Sequence, residues 1–159
     1  MNTPEKALFD LLLEKNKTLA AAESCTGGLI AKRITDLSGA SRVFKGGVVS
    51  YTNEVKHSVL GVPQNLLDEH GAVSEPVARA MAEGCRRITG SDLAVSVTGV
   101  AGPDRDDRGN EVGTVYVALA SEKETLCVLC ACGREQSRAE IRAAAADCAF
   151  RMVAEHLNG

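Results

Sequence analysis

The stretch Glu23-Ser24-Cys25-Thr26-Gly27-Gly28 constrains the fold more than any other part of the chain. A short apolar segment, Leu19 to Ala22, runs into it, and a helical pattern, Leu29 to Leu37, runs out of it. A strand therefore ends, the chain turns through two glycines, and a helix begins. The first N–H groups of a helix find no acceptor within it, so free backbone donors and hydroxyls gather at this point. Such a place can hold an anion, or it can present a serine nucleophile to a carbonyl. The turn by itself leaves both open.

The remaining elements follow from periodicity. Thr3-Pro4 opens a first helix with Ala7, Leu8, Leu11 and Leu12 on its apolar face. Phe44 to Tyr51 reads as a strand whose Gly46-Gly47 pair marks a bulge or a close approach of backbone or ligand. Asn53 to Leu60 and Pro63 to about His70 read as short helices. Ser74-Glu75-Pro76 starts a longer one that carries Val77, Ala80, Met81, Gly84 and Cys85 and ends at Gly90. Leu93 to Val97 is a buried strand, followed by Thr98-Gly99-Val100-Ala101-Gly102-Pro103 and a polar loop, Asp104 to Glu111. Gly113 to Ser121 and Thr125 to Ala131 form a hairpin, and the capping box Ser137-x-x-Glu140 opens the last helix. That helix has Ile141, Ala145, Cys148, Met152 and Val153 on its apolar face. Helices alternate with strands early and a hairpin comes late. The expected fold is a single α/β domain over residues 1–159, a mixed β-sheet with helices packed on both faces in three α/β/α layers.

Composition narrows the function classes. There is no tryptophan and only 3% aromatic content, so Ala, Val, Leu and Ile must build the core. The net charge of −3 and the absence of a basic stripe argue against nucleic acid as a partner. Met1 to Lys6 is polar with no long apolar run behind it, which is neither a signal peptide nor a membrane span, and a cytoplasmic location is expected. Without a secretory signal the six cysteines are expected to be reduced. Strand alternation puts Cys130 and Cys132 on one face and Cys127 on the other, poor geometry for zinc; these thiols read as small apolar side chains, and no metal site is expected.

Three strand ends carry polar sets: Glu23-Ser24 with Thr26, Ser50-Tyr51-Thr52-Asn53 with Lys56, and Ser96, Thr98 and the Gly99-to-Gly102 loop. In sheets of this class ligands collect beyond the carboxyl ends of parallel strands. If the three loops emerge on one edge, a serine, a tyrosine, a lysine and a glycine-rich cradle converge there. Serine needs a neighbouring base, and a desolvated lysine can serve because burial disfavours its charged form. A tyrosine hydroxyl can relay the proton. Backbone N–H groups near Thr26-Gly27-Gly28 can hold an oxyanion, each such donor lowering the barrier by about 3–4 kcal/mol. Each piece also has an ordinary structural role: Ser24 as a helix cap, Lys56 as a solvated helix residue, Tyr51 as a packed ring. Arg138 and Arg142, one helical turn apart, can share a phosphate or simply face solvent. The loop after Pro103 fails as a calcium loop, and Gly99-x-x-Gly102 lacks the lysine of a phosphate loop.

Ala22-Glu23-Ser24-Cys25-Thr26-Gly27-Gly28, Gly46-Gly47-x-x-x-Tyr51-x-Asn53-x-x-Lys56, Gly71-Ala72-Val73-Ser74, Thr98-Gly99-x-Ala101-Gly102-Pro103 and Val112-Gly113-Thr114-Val115 occur in this order along nearly the whole chain. Together they closely resemble the CinA C-terminal domain family, the stand-alone nicotinamide mononucleotide (NMN) deamidases also called PncC. The resemblance implies an α/β domain that hydrolyses the carboxamide of NMN to nicotinate mononucleotide and ammonia in pyridine nucleotide salvage. It implies Ser24 as nucleophile, Lys56 and Tyr51 as its activating partners, and an acyl-enzyme released by water. It implies substrate contacts from Glu23, Thr26, Gly27, Gly28, Gly47, Asn53, Thr98, Gly99, Ala101, Gly102, Arg138 and Arg142, with no metal or organic cofactor. Larger members of the family carry an additional N-terminal domain, and members of this size are often homo-oligomers, for which the Ala-rich last helix is a candidate interface. Two departures stand out. Arg105-Asp106-Asp107-Arg108-Gly109-Asn110-Glu111 replaces a glycine-rich stretch of the family, and Gly133-Arg134-Glu135-Gln136-Ser137 replaces its usual approach to the basic pair. The alternative to an enzyme is a nucleotide-binding or regulatory module that keeps the pocket without turnover.

Overall fold

The computed structural model describes residues 2–133 and 135–159, so Arg134 lies outside the described residues. In chain order the elements are α1 (Pro4–Lys15), β1 (Leu19–Glu23), α2 (Leu29–Thr35), β2 (Phe44–Val49), α3 (Asn53–Ser58), α4 (Gln64–His70), α5 (Glu75–Thr89), β3 (Leu93–Gly99), β4 (Thr114–Ala120), β5 (Thr125–Ala131) and α6 (Arg138–Asn158). They form one α/β domain around a five-stranded sheet of order β2-β1-β3-β4-β5. β1 runs parallel to β2 and to β3, whereas β3–β4 and β4–β5 are antiparallel. The mixed sheet expected from the late hairpin is therefore present.

Local chemistry sets the helix ends. Thr3 accepts from the Lys6 N–H ahead of Pro4, and Ser137 and Glu140 form the full capping box at α6. The apolar faces then decide the layers. α1, α2 and α6 bury Leu8, Leu12, Ile30, Ile34, Ile141, Ala149 and Phe150 against Leu19, Ala21, Val95, Val97, Val115 and Val117. α5 covers the other face with Val77, Met81 and Cys85 against Ala20, Ala22 and Ala94. Strand β1 lies between β2 and β3, is fully buried and is mostly alanine, which lets layers on both sides approach it. The predicted cysteine alternation holds: Cys130 and Cys132 pack on the α6 side and Cys127 on the α5 side. The expectation of reduced thiols is corrected at one pair, because Cys130 of β5 and Cys148 of α6 are joined as a disulfide. Cys25 and Cys85 are buried thiols.

The Gly46-Gly47 pair does what strand glycines do. Lys45 is left out of the pairing between Leu19↔Phe44 and Ala20↔Gly46, a bulge. A Cβ on Gly47 would lie 2.7 Å from the Ala21 carbonyl oxygen, so only glycine lets β2 close on β1 here. Gly47 is thus required by packing. No helix among the described residues is long and apolar enough to cross a membrane.

Candidate active site

Because β1, β2 and β3 are parallel, their carboxyl ends lie on one edge of the sheet. The three polar sets read from the sequence meet there, apart from Ser96, whose hydroxyl donates to the Ala78 carbonyl of α5. A pocket of about 410 Å³ opens at that edge, lined by Ser24, Cys25, Tyr51, Asn53, Lys56, Thr98, the 99–104 segment, Asp106 and Arg138, among others.

The turn at Glu23–Gly28 resolves its own ambiguity. Glu23, the last residue of β1, is 1% exposed, and its carboxylate points into the start of α2. It accepts from the Thr26 hydroxyl at 2.6 Å and from the N–H groups of Gly28 at 3.2 Å, Ile30 at 2.9 Å and Ala31 at 3.0 Å. The anion site at this helix start is filled by the protein's own carboxylate, which favours the positive end of the helix. Glu23 and the Thr26 hydroxyl are therefore committed to partners within the turn. Gly28 enters the helix at φ 106°, a left-handed conformation that glycine adopts without strain. Two backbone donors of the turn are already occupied. The Gly27 N–H is held by the Ser24 carbonyl at 3.0 Å and the Gly28 N–H by Glu23. Gly27 and Gly28 do not line the pocket. Among the described residues, the N–H groups of Cys25 and Thr26 carry no partner, and they immediately follow Ser24.

Lys56 lies on α3, whose start is capped by Thr52. The short helix turns the lysine inward, and the side chain is 1% exposed. Its Nζ lies 2.9 Å from Ser24 Oγ, 2.8 Å from the Ser50 carbonyl oxygen and 3.4 Å from the Tyr51 carbonyl oxygen. Among the described residues no carboxylate accepts from it. Burial lowers its pKa from 10.5 to about 8, opposed by the nearby Cys25. A neutral amine has two N–H bonds and one lone pair. The two carbonyls can take the N–H bonds, which leaves the lone pair for the Ser24 hydroxyl proton. Cys25 is the opposite case: burial pushes its thiol up to about 12, so it is a poor nucleophile beside Ser24.

The other expected residues fall into two groups. Asn53, Thr98, Gly99, Ala101, Gly102 and Arg138 line the pocket. The Thr98 hydroxyl donates to the Ala72 carbonyl, which ties β3 to the segment before α5. Tyr51 lines the pocket too, but its hydroxyl accepts from Arg138 at 2.8 Å and makes no hydrogen bond to Ser24. Arg138 also donates to the Gly102 carbonyl. Arg142 does not face the pocket. Its guanidinium donates to the carbonyls of Cys25 at 3.1 Å and Thr26 at 2.8 Å and clamps the turn.

Sequence reasoning missed several members. The Ser50 and Tyr51 carbonyls have no side-chain signature. Asp104 and Asp106 line the pocket from the atypical loop. That loop is ordered by Asp106, which accepts from the N–H groups of Arg108 and Asn110 and from the Asn110 side chain. It is fastened to α4 by Arg108, whose guanidinium donates to the carbonyls of Leu67, Asp68 and Glu69 at the end of that helix. An arginine at a helix C-terminus complements the dipole, a signal that only the three-dimensional neighbour reveals.

Comparison with known proteins agrees with this architecture. The CinA C-terminal domain matches residues 1–157. A putative competence-damage inducible protein of Desulforudis audaxviator is 60% identical over 124 residues, 78% of this chain and 30% of that protein. A CinA-like protein of Geobacter sulfurreducens is 60% identical over 119 residues, 75% of this chain and 29% of that protein. The chain thus spans about 30% of the length of these relatives. Among solved structures, a CinA superfamily protein of Klebsiella pneumoniae superposes with TM-score 0.93 at 27% identity, covering 99% of both chains. A competence/damage inducible protein of Agrobacterium tumefaciens superposes with TM-score 0.91 at 34% identity, covering 100% of this chain and 98% of that one. With a match over all but its last two residues, the chain belongs to the CinA C-terminal domain family.

Proposed function

We propose that this chain is a metal-independent amidohydrolase that converts NMN and water to nicotinate mononucleotide and ammonia, a step of pyridine nucleotide salvage. The observation that carries the reading is the buried Lys56 Nζ, 2.9 Å from Ser24 Oγ and without a carboxylate partner. An uncompensated buried lysine is costly in a purely structural role. Its depressed pKa suits a base working near neutral pH.

In the proposed path, Ser24 Oγ attacks the carboxamide carbon as its proton passes to the Lys56 lone pair. The carbonyl oxygen becomes an oxyanion and accepts from the free N–H groups of Cys25 and Thr26. Lys56 returns the proton to the departing nitrogen, the C–N bond breaks, and ammonia leaves an acyl group on Ser24. Water then attacks the ester carbonyl, giving its proton to Lys56; Lys56 returns that proton to Ser24 Oγ as the Oγ–carbon bond breaks, and the acid product leaves as the carboxylate with its own proton lost to solvent. The pocket volume lies in the range typical of small-molecule sites, roughly 300–1,000 Å³. Arg138 is the guanidinium that lines it and suits the phosphate, while Asp104, with no partner among the described residues, suits the cationic pyridinium.

The test is ammonia and carboxylate formation from NMN, NAD, nicotinamide riboside and free nicotinamide, with Ser24→Ala beside the wild type. Turnover of NMN that Ser24→Ala abolishes is expected. An active Ser24→Ala protein refutes the nucleophile, and a wild type that binds NMN without releasing ammonia makes the chain a binding module.

A further inference from the structure

One wall of the pocket comes from the loop that joins β3 to β4, and Arg105 to Glu111 is the part of it in which this chain departs from the glycine-rich pattern of the family. Ordering a long polar loop costs conformational entropy, and three sets of contacts offset it here. Asp106 accepts from the N–H groups of Arg108 at 3.1 Å and Asn110 at 2.7 Å, and from the Asn110 side chain at 2.7 Å. Arg105 donates to the Gly109 carbonyl at 3.2 Å and pairs with Glu111 at 3.4 Å. Arg108 then leaves the loop for the end of α4, where its guanidinium donates to the carbonyls of Glu69 at 3.0 Å, Leu67 at 3.3 Å and Asp68. The last carbonyls of a helix lack donors within it, and a cation there also meets the negative end of the dipole. Gly71, just past the helix at φ 76°, leaves room for the arginine stem, since a Cβ on it would lie 3.0 Å from Arg108 Cγ.

The anchor is itself fixed. The chain leaves α4 through Ala72 and Val73, which line the pocket, and the Thr98 hydroxyl of β3 holds the Ala72 carbonyl at 2.8 Å. Arg108 thus closes a ring from β3 through the loop and the end of α4 back to β3. Two carboxylates of the loop reach the pocket, Asp104 and Asp106. Both oxygens of Asp106 are taken by the loop. Asp104 has no partner among the described residues and leaves its charge on the pocket wall. The Arg138 guanidinium lines the same pocket. The loop therefore supplies one sign of charge and α6 the other, which suits a ligand with an anionic group and a cationic ring.

We propose that Arg108 is a positioning residue for recognition: by fastening the 104–111 loop to the end of α4 it holds the Asp104 carboxylate at the pocket, where that charge selects a ligand with a cationic ring over one with a neutral ring. The proposal rests on the NMN reading for the identity of that ring. Arg108 does not line the pocket and acts through Asp104.

The test is a binding measurement, which does not depend on turnover. Calorimetry on the Ser24→Ala chain compares NMN with the analogue in which a benzamide ring replaces the pyridinium. The two ligands share phosphate, ribose and carboxamide and differ in ring charge. NMN is expected to bind about tenfold tighter, the size of one close charge pair in a partly solvated pocket. Asp104→Asn is expected to remove most of that preference. Arg108→Ala is expected to do the same while leaving the affinity for the neutral analogue nearly unchanged. Arg108→Ala added to Asp104→Asn is expected to lower the preference no further, because the two substitutions interrupt one effect. A general loss of folding weakens both ligands alike and leaves the preference standing. Equal affinity for the two ligands in the starting chain overturns the proposal, as do binding of neither, a preference that survives either substitution, and a further loss in the double variant. Ammonia release decides the NMN reading separately: a wild type that prefers the cation without releasing ammonia keeps the charge selection and loses the deamidase.

Discussion

Lys56 offers the sharpest quantitative consequence of the geometry. Its amine must be neutral to accept the Ser24 proton, and burial holds its pKa at about 8. From that value, about one Lys56 in ten is neutral at pH 7, half at pH 8 and about nine in ten at pH 9. The rate constant kcat for NMN should therefore rise roughly tenfold between pH 7 and pH 9 and level off above, with a midpoint near 8. The substrate does not confuse this window, since a phosphate monoester loses its second proton near pH 6, roughly two units lower. Product should be followed by chromatography of the two mononucleotides, because ammonia itself titrates in this range. Stability moves with the same proton. An unfolded Lys56 keeps its proton up to pH 10.5, whereas the folded one releases it at about 8. Between those values the unfolded chain binds one proton more, so folding stability gains from rising pH, by up to about 1.4 kcal/mol per unit. Lys56→Met should remove both effects: kcat collapses, and the stability difference from wild type narrows in favour of the wild type as pH rises through 8 to 10.5. A kcat that stays flat from pH 7 to pH 9, or that rises only near 10.5, would refute Lys56 as a dry base beside Ser24.

Two further perturbations address the turn itself. Glu23→Ala leaves the Thr26 hydroxyl and the Ile30 N–H buried without their acceptor, and should cost about 3 kcal/mol or more in urea unfolding at pH 7; a loss below about 1 kcal/mol would show that the carboxylate does not hold the turn together. Arg142→Lys keeps the charge but loses the two-pronged grip on the Cys25 and Thr26 carbonyls, and should lower kcat about 10- to 100-fold with KM nearly unchanged, less than outright removal of an oxyanion donor. A rise in KM with kcat intact would instead mean that Arg142 meets the substrate.

The readable parts of this molecule were those in which chemistry and position coincide along the chain. Periodicity placed the helices and strands, since burial on one face writes itself into every third or fourth residue or every second one. Parallel β1, β2 and β3 followed from the alternation of helix and strand, and with them the meeting of Ser24 and Lys56. The unread parts are side chains whose partners lie far off in sequence. Arg142 reaches the Cys25 carbonyl across 117 positions, and Arg108 reaches the end of α4 across about 40. A basic pair one turn apart looks like one phosphate clamp, yet Arg138 faces the pocket and Arg142 faces the turn. The Cys130–Cys148 disulfide was equally invisible, because it joins a strand to a helix face that only packing brings together. Tyr51 is a different case. Its backbone carbonyl, which every residue type possesses, contacts Lys56, while its hydroxyl turns to Arg138.

The position of the free donors follows from the choice made at Glu23. A helix start offers several unpaired N–H groups, and whichever anion fills them decides what remains. Here the Glu23 carboxylate takes those of Gly28, Ile30 and Ala31, and the Ser24 carbonyl takes that of Gly27. The donors left open are displaced toward β1, to Cys25 and Thr26, and Arg142 holds both of their carbonyls. In a trans peptide the N–H points opposite the preceding carbonyl. Gripping the Cys25 carbonyl therefore fixes the direction of the Thr26 N–H. The helix start is closed to a substrate anion, and the open donors lie beside the serine. In the proposed mechanism, an internal carboxylate in place of a ligand phosphate converts an anion-binding turn into one suited to a charge that appears only during reaction, the preorganisation that stabilises a transition state more than a ground state.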